Sequence, residues 1–156
     1  MLGGVEEIKV REAGFGEPAV QRLIAEAMAE LSRRYDGTSD DTPVAATDFA
    51  PPGGAFFVAY AGAELLGCAG WRAHGEDAEL KRMFTMPAAR GRGVAGRVLA
   101  AIEESARERG RKRVILETGD KQPEAIGLYL KRGYERIEDF GYYKGEEGVL
   151  SYARVL

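Results

Sequence analysis

The sequence contains one cysteine, Cys68, and one histidine, His74, among its 156 residues. A single cysteine cannot form an internal disulfide, and neither residue type is numerous enough to build a cysteine- or histidine-based zinc site. We therefore expect no metal in this protein. Cys68 is expected to be buried in a strand, and His74 to lie in an exposed turn.

Long hydrophobic runs and an excess of positive charge are also missing. No apolar stretch approaches the roughly 20 residues that cross a bilayer. The first ten residues, MLGGVEEIKV, lack the basic and apolar regions of a signal peptide. The net charge of -3 is unlike that of most nucleic-acid-binding domains. These absences predict a cytoplasmic protein that binds neither membranes nor nucleic acid.

The remaining composition, 45% apolar and 30% charged residues, is typical of a globular protein, and its length suits one domain over residues 1–156. Hydrophobic periodicity and turn residues predict the element order β-α-loop-β-β-β-α-β-α-β-β. The predicted strands are 7–12, 55–60, 64–73, 77–86, 112–118, 134–140 and 149–156, and the predicted helices are 18–36, 94–109 and 123–132. The run of consecutive strands in the middle predicts an α+β domain with a mixed sheet.

A long loop over 36–54 is rich in Asp, Thr, Pro and Gly, and we expect a short helical turn within it. Loops of this length are uncommon in compact domains unless they serve a function. The loop either borders a substrate or is a plain surface loop.

The stretch FTMPAARGRGVAG places Gly91, Gly93 and Gly96 in the G-x-G-x-x-G spacing of a dinucleotide-binding fingerprint. An acidic residue, Glu117, also follows at a suitable distance. The preceding strand, however, is charged rather than continuously apolar, three residues intervene before the glycines, and few residues remain for alternating strands and helices. The dinucleotide interpretation is therefore the weaker one.

The two arginines threaded through these glycines, Arg90 and Arg92, favour a different phosphate ligand. Backbone N–H groups at a helix N-terminus form an anion site, and the helix dipole strengthens it. The glycines allow a pyrophosphate to approach the main chain.

Two segments resemble motifs of the GCN5-related N-acetyltransferase (GNAT) superfamily. RGRGVA, residues 90–95, is similar to the R/Q-x-x-G-x-G/A motif, and QPEAIGLYLKRGYERI, residues 122–137, is similar to N-x-x-A-x-x-L-Y-x-x-x-G-F. The resemblance implies a mixed, mostly antiparallel sheet of six to seven strands flanked by helices. It also implies direct transfer of an acetyl group from acetyl-CoA to a primary amine of a small molecule or peptide, in a ternary complex.

The resemblance also implies a set of cofactor contacts. Those to the pyrophosphate are Arg90, Gly91, Arg92, Gly93, Val94 and Ala95. Those to the pantetheine arm and the acetyl group are Met83, Phe84, Thr85 and Gln122. Met83 contributes its N–H to the acetyl carbonyl, and Gln122 stands where asparagine is common, which weakens its capping of the following helix. The basic cluster at 107–113 either reaches the 3′-phosphate of CoA or is a solvated helix end.

Two catalytic residues are implied in the same way. Tyr129, at the family's L-Y position, donates a proton to the departing thiolate. Glu79 is the first candidate for the general base, because residues four apart on a regular strand share a face and Glu79 would then face Met83. Glu117 is the second candidate.

The acceptor and the assembly stay open at this stage. Four aspartates of the loop, Asp36, Asp40, Asp41 and Asp48, favour a cationic amine, whereas Lys81 or Arg82 could hold a carboxylate. A binding or sensor module that holds acyl-CoA without turnover is the alternative to an enzyme. The C-terminal strands could take part in a homodimer.

Overall fold

The computed structural model describes residues 6–156; residues 1–5, the start of the segment compared with a signal peptide, lie outside it. Within 6–156, three α-helices flank a seven-stranded sheet. The elements are β1 (Lys9–Ala13), α1 (Pro18–Arg34), β2 (Gly54–Ala61), β3 (Glu64–His74), β4 (Asp77–Thr85), α2 (Val94–Glu108), β5 (Arg113–Gly119), α3 (Pro123–Lys131), β6 (Glu135–Arg136) and β7 (Val149–Val155). Short 3₁₀ turns lie at Ala46–Phe49 and Pro87–Ala89. The predicted order is confirmed, including the helical turn in loop 36–54.

The strands lie side by side in the order β1-β2-β3-β4-β5-β7-β6. β4 and β5 run parallel, and every other neighbouring pair in the described chain is antiparallel. The prediction of an α+β fold with a mixed, mostly antiparallel sheet is confirmed.

Helices cover both faces of this sheet. On one face, Val20 and Leu23 of α1 are fully buried against Phe56 of β2. On the other, Leu99 and Ile102 of α2 pack around strand residues of the larger core cluster. Complete burial of such a side chain contributes about 1.5–3 kcal/mol. Each described helix presents one apolar stripe, and none is both long and apolar enough to span a membrane.

A β-bulge interrupts β4 at Arg82. Opposite β4, Gly70 pairs with Lys81 and Cys68 with Phe84, so that one residue of β3 faces two residues of β4. Arg82 has a φ of 59°, a left-handed conformation that costs a non-glycine residue roughly 1–2 kcal/mol. The extra residue reverses the alternation of side chains between the two faces of the strand.

The bulge contradicts the expectation that Glu79 and Met83 share a face. Glu79 pairs across the sheet with Arg72, and the next residue, Leu80, therefore points to the opposite face. Met83 packs in the same core cluster as Leu80 and Trp71. The expectation that residues four apart share a face fails here because it holds only for a strand without a bulge.

β4 and β5 separate soon after they meet. In the described chain their parallel pairing consists of Ala78 with Val114 and Glu79 with Ile115. Beyond these pairs the strands diverge, and the edges that face each other are left without a neighbouring strand. The divergence opens a space in the middle of the sheet.

The predicted strand 134–140 is wrong in its extent, because β6 covers only Glu135–Arg136. The chain leaves the sheet near Asp139, whose carboxylate accepts hydrogen bonds from the Ser151 hydroxyl at 3.0 Å and from the Gly145 N–H at 3.3 Å. These contacts hold a turn rather than a strand. The segment that follows, 140–148, reaches the space between β4 and β5.

Candidate active site

The loop before α2 is a candidate anion site built from backbone groups. Gly91 and Gly93 have φ values of 81° and 78°, which glycine adopts without strain from a β-carbon. Gly93 is the N-cap of α2, and no described side chain hydrogen-bonds to that cap. The first N–H groups of the helix are therefore left for a ligand or solvent. The positive end of the helix dipole favours a phosphate at this position.

A groove of about 350 Å³ runs beside this loop. All but one of the cofactor contacts expected from sequence line it: Met83, Phe84, Thr85, Arg90, Gly91, Gly93, Val94, Ala95 and Gln122. The exception is Arg92, whose Nη1 lies 3.7 Å from Oε1 of Glu64. The groove ends against Leu128 of α3.

A second cavity, of about 260 Å³, lies between the diverging strands β4 and β5. It shares four lining residues with the groove: Ala27, Leu31, Met83 and Gln122. The two spaces therefore meet at Met83. Tyr129 and Glu117 line the cavity but not the groove. A ligand in the groove and a second molecule in the cavity would thus touch one another at this junction.

Tyr129 of α3 is 5% exposed, and its ring lies 5.7 Å from that of Tyr134. Burial raises the pKa of Tyr129 well above its ordinary value. The hydroxyl therefore stays protonated over the whole working pH range and can act as a hydrogen-bond donor in the cavity.

Glu117 of β5 is held against the cavity by one hydrogen bond. Its Oε2 accepts from the Tyr143 N–H at 3.0 Å, while its Oε1 is buried without a partner among residues 6–156. A β-carbon at Gly141 would lie 2.5 Å from Oε1, so the glycine leaves room for the carboxylate in this position. Burial, reinforced by the charges of Glu79 and Asp40, outweighs the Tyr143 N–H and Lys81 and raises the pKa of Glu117. A carboxyl group with a raised pKa is suited to proton transfer near neutral pH.

Glu79 lies elsewhere. Its side chain is 3% exposed and accepts from Arg72 Nε at 3.0 Å, with His74 Nδ1 at 3.9 Å. It lines neither the groove nor the cavity. The structure thus brings the second candidate base, Glu117, to the cavity and leaves the first candidate, Glu79, in an ion pair.

One rim of the cavity is fixed by Asp40. Its Oδ2 pairs with Arg82 Nη1 at 2.5 Å and lies 3.6 Å from Lys81 Nζ, and its Oδ1 accepts from the Tyr143 hydroxyl at 2.9 Å. Burial opposes the Asp40 anion, but Lys81, the Thr42 hydroxyl and Arg82 outweigh this effect and lower the pKa of Asp40. The network ties loop 36–54 to segment 140–148 across the cavity.

The opposite rim includes Tyr35, the residue after α1. Its hydroxyl is buried without a hydrogen-bond partner in the described part of the chain. A β-carbon at Gly119 would lie 1.8 Å from that hydroxyl, so a glycine is needed for Tyr35 to occupy this position. Lys121 Nζ lies 5.4 Å from the centre of the Tyr35 ring.

Comparison with known proteins identifies the family of this chain. The sequence profile of the acetyltransferase (GNAT) family matches residues 12–134, which is most of the chain. The chain belongs to the GNAT family. It is 36% identical over 129 residues to an IAA acetyltransferase of Azospirillum brasilense, a match that covers 81% of this chain and 84% of that protein.

Solved structures share the GNAT fold of this chain. A protein from Klebsiella pneumoniae described as an acyl-CoA N-acyltransferase superimposes with a TM-score of 0.80 at 24% identity, over 96% of this chain and 97% of that one. The PaiA N-acetyltransferase of Thermoplasma acidophilum, solved in complex with coenzyme A, has a TM-score of 0.71 at 15% identity, over 96% and 99% of the two chains.

Both arginines of the GNAT phosphate loop, Arg90 and Arg92, have a carboxylate nearby. Arg90 Nη2 donates to both carboxylate oxygens of Glu30, at 2.6 and 2.7 Å, and to the Thr85 carbonyl at 3.1 Å. Glu30 belongs to α1 and also lines the groove. The anion site therefore depends on the backbone and the helix dipole more than on arginine charge.

The basic cluster at 107–113 is far from the phosphate loop. It follows the C-terminal end of α2, and a helix of 15 residues is roughly 22 Å long. Its members pair locally: Arg107 with Glu104, Lys112 with Glu76, and Arg113 with Asp77. This distance and these pairs favour the interpretation of the cluster as a solvated helix end over contact with a CoA phosphate.

Several residues of this GNAT site carry no signal in the sequence. Tyr35, Tyr143 and Glu30 act through contacts with partners distant in the chain; the Tyr143–Asp40 bond, for example, spans 103 residues. Local periodicity cannot reveal such contacts. Cys68 is buried in β3, as expected. His74 is exposed, as expected, but it is the last residue of β3 rather than part of the turn. Across residues 6–156, no three His, Cys, Asp or Glu side chains are grouped as metal ligands.

Proposed function

We propose that this chain transfers the acetyl group of acetyl-CoA to a primary amine by direct attack in a ternary complex. One observation carries the proposal: the groove beside the phosphate loop and the cavity between the strands meet at Met83, with Tyr129 and Glu117 on the cavity side. A two-substrate transfer needs two adjoining spaces and proton-transfer groups where they join.

The groove fits the elongated shape of the co-substrate. The pyrophosphate binds the N–H groups of 91–95, and the pantetheine arm lies along the free edge of β4 as an added strand would. Gln122 is the N-cap of α3 but makes no side-chain cap, so its amide is available to the arm within the described structure. The acetyl group then reaches Met83, whose N–H stabilises the negative charge that develops on the carbonyl oxygen.

The chemistry follows from the groups at the junction. Glu117 takes a proton from the acceptor ammonium, and the neutral amine nitrogen forms a bond to the thioester carbon. The carbon–sulfur bond breaks, the electron pair leaves on sulfur, and the proton lost by the new amide nitrogen passes to this thiolate to give the free thiol. Tyr129 donates a hydrogen bond to that sulfur. Because the pKa of Tyr129 is raised above that of a thiol, stabilisation by this bond matters more than complete proton transfer.

Two alternative functions, an acyl-CoA sensor and a dinucleotide-binding protein, each leave features of the structure unexplained. A sensor that holds acyl-CoA without turnover has no need of Glu117 buried with an unpartnered oxygen. A dinucleotide site expects a parallel strand immediately before the glycines. Here β4 does pair in parallel with β5, but only through two residue pairs in the described chain, and the turn Pro87–Ala89 separates the strand from the glycines.

Calorimetry with acetyl-CoA, CoA and NAD, followed by thiol-release assays across a panel of amines, tests the proposal. We expect binding of both CoA species and thiol release with some amines. Binding of NAD without CoA would contradict it, and CoA binding without thiol release on any amine would establish the sensor instead.

Replacement of Tyr129 by phenylalanine tests the role of the hydroxyl. We expect kcat to fall roughly 10- to 100-fold, at or below the low end of the scale for a general acid, because Tyr129 donates a hydrogen bond rather than its proton; acetyl-CoA affinity should stay within about twofold. Tyr134→Phe is the matched control, because that hydroxyl donates to Glu103 at 2.8 Å and does not line the cavity. Equal kcat in the two variants would remove Tyr129 from the mechanism.

A further inference from the structure

The cavity between β4 and β5 has a definite charge pattern. Its described lining includes two cations, Lys81 and Arg82. It also includes five carboxylates: Asp40, Glu117, Asp120, Glu146 and Glu147. These carboxylates give the cavity a negative charge only where no cation of the protein pairs with them.

Both cations form their hydrogen bonds and ion pairs with loop 36–54. Arg82 Nη1 pairs with Asp40, and its Nη2 donates to the Thr42 carbonyl at 3.0 Å. Lys81 Nζ donates to the Thr42 hydroxyl at 2.9 Å. Their side chains are 6% and 5% exposed, respectively. Neither is available to hold a substrate carboxylate, which was one of the two alternatives left open by the sequence.

The loop aspartates do not supply the negative field either. Asp40 is paired as described, and Asp48 Oδ2 accepts from Arg72 Nη1 at 3.1 Å. Asp36, Asp41 and Asp48 do not line the cavity. The charge that remains comes from residues the sequence did not single out for the acceptor.

Three of the remaining carboxylates lie together at the exposed end of the cavity. The Asp120 N–H donates to the Gly148 carbonyl at 2.9 Å, which brings Asp120 beside Glu147 and Glu146. None of the three takes part in a salt bridge within residues 6–156. Lys121, which follows Asp120, lies over the Tyr35 ring and does not line the cavity.

At the inner end, the carboxylate oxygen of Glu117 left unpartnered by residues 6–156 points to a ligand with an N–H donor, whereas the Tyr35 hydroxyl can either donate or accept. Glu117 Oε1 and the Tyr35 hydroxyl are both buried without partners in the described chain, and both residues line this cavity. A buried polar group that makes no hydrogen bond destabilises the protein until a ligand supplies the partner. An ionised carboxylate can only accept, so a donor is required to satisfy it.

We propose that the acceptor is an aliphatic amine with a second cationic group and no carboxylate, its reacting nitrogen at Glu117 and its other ammonium at Asp120, Glu146 and Glu147. This inference rests on the proposed acetyl transfer and narrows its substrate class. Diamines and longer polyamines have this chemistry.

The test compares acceptors of one chain length: 1,4-diaminobutane, 1-aminobutane and 4-aminobutanoate, with 1,8-diaminooctane as a longer diamine. Thiol release is measured with purified full-length protein at saturating acetyl-CoA. We expect kcat/KM to be about tenfold or more higher for a diamine than for the monoamine, equivalent to about 1.4 kcal/mol, and lowest for the amino acid. The advantage should shrink with added salt, because the rim carboxylates are exposed.

The double variant Glu146→Gln/Glu147→Gln should lose most of the diamine advantage, so that the ratio of kcat/KM for 1,4-diaminobutane to that for 1-aminobutane falls towards one. Glu108→Gln, an exposed carboxylate on α2 outside both spaces, is the matched control and should keep the full preference. Equal rates for diamine and monoamine, a preference for the amino acid, or an unchanged preference in the double variant would overturn the inference alone. Absence of thiol release with every amine would overturn the proposed transfer itself.

Discussion

Glu79 and Glu117 lie on neighbouring strands of one sheet, and their surroundings give them different chemistry. Glu79 is at the closed end of the β4–β5 pair, where Arg72 satisfies it. Glu117 lies where the strands have parted, with one oxygen unsatisfied and a raised pKa. The same carboxyl group is structural in one place and reactive in the other, because of where the strands separate.

Glu117→Gln should lower kcat on the scale of a general base, about 100-fold or more. Because the carboxylate is the active form, the wild-type rate should rise with pH through the raised pKa of Glu117, and this acidic limb should vanish in the variant. The measurement is a pH profile of thiol release, with acetyl-CoA affinity measured alongside.

Glu79→Gln is the comparison for this profile. We expect it to reduce stability, since a buried ion pair is broken, and to leave the acidic limb in place. If Glu79→Gln removed the limb and Glu117→Gln kept it, the assignment of the base would be reversed.

At the scale of elements, the phosphate loop joins a strand to a helix through backbone conformation. Gly93 supplies the left-handed residue that turns the chain into α2, and Gly110, with a φ of 74°, supplies the same conformation after its last turn. A β-carbon at either position would meet no atom within 4 Å. The two glycines therefore differ in location but not in strain.

Gly93→Ala and Gly110→Ala form a matched pair for that reason. Each should lower the free energy of unfolding by roughly 1–2 kcal/mol, the cost of a left-handed non-glycine residue. Only Gly93→Ala should also weaken acetyl-CoA binding, since its methyl group stands where phosphate approaches the main chain. Denaturant unfolding and calorimetry on both variants check this; equal affinities would place the phosphate elsewhere.

Local sequence patterns predict the helices and the phosphate loop well, but not the features that depend on pairing with distant strands. The stripe of α2, made of Val94, Val98, Leu99, Ile102 and Ala106, is buried as its spacing predicts. The bulge at Arg82 and the short extent of β6 were not predictable, because both depend on long-range pairing rather than on the neighbouring residues. Most expected cofactor residues do line one groove, since the motif itself is local.

At the scale of the whole molecule, Glu103 joins elements that are distant in sequence. It lies on α2 with a side chain that is 4% exposed, pairs with Arg132 after α3, and pairs with Arg154 of β7 at 2.9 Å. Burial opposes its charge, but the hydrogen bonds from Arg132 and Tyr134 and the charges of Arg132 and Arg154 outweigh burial and lower the pKa of Glu103. Removal of this carboxylate should therefore affect the fold rather than catalysis.

Glu103→Gln should lower the free energy of unfolding by roughly 2–3 kcal/mol at neutral pH, below the full cost of a broken buried pair because the arginines keep contact with water. The folded-state pKa of Glu103 lies below its unfolded value. The stabilisation that ionised Glu103 gives the folded state is therefore complete above the unfolded-state pKa, near 4.5. It is lost as the pH falls through the folded-state pKa.

Urea unfolding at neutral pH and near pH 3 measures this effect. The difference between wild type and Glu103→Gln should narrow in acid. Glu104→Gln, on the neighbouring exposed residue, should change stability by less than about 1 kcal/mol at either pH, as is usual for a surface ion pair. A gap that stays constant with pH would show that packing, not charge, explains the role of Glu103.

The separation of β4 from β5 also affects how the protein withstands heat. With direct pairing confined to two residue pairs in the described chain, strands β1–β4 are joined to β5–β7 mainly through side chains and helices. A ligand that bonds along the free edge of β4 and contacts α3 adds a connection between these halves that the polypeptide lacks. A co-substrate at 100 times its Kd stabilises the folded state by about 2.7 kcal/mol. The melting temperature of the purified protein should therefore rise with the logarithm of the acetyl-CoA concentration above its Kd, and a scanning-calorimetry titration measures that rise.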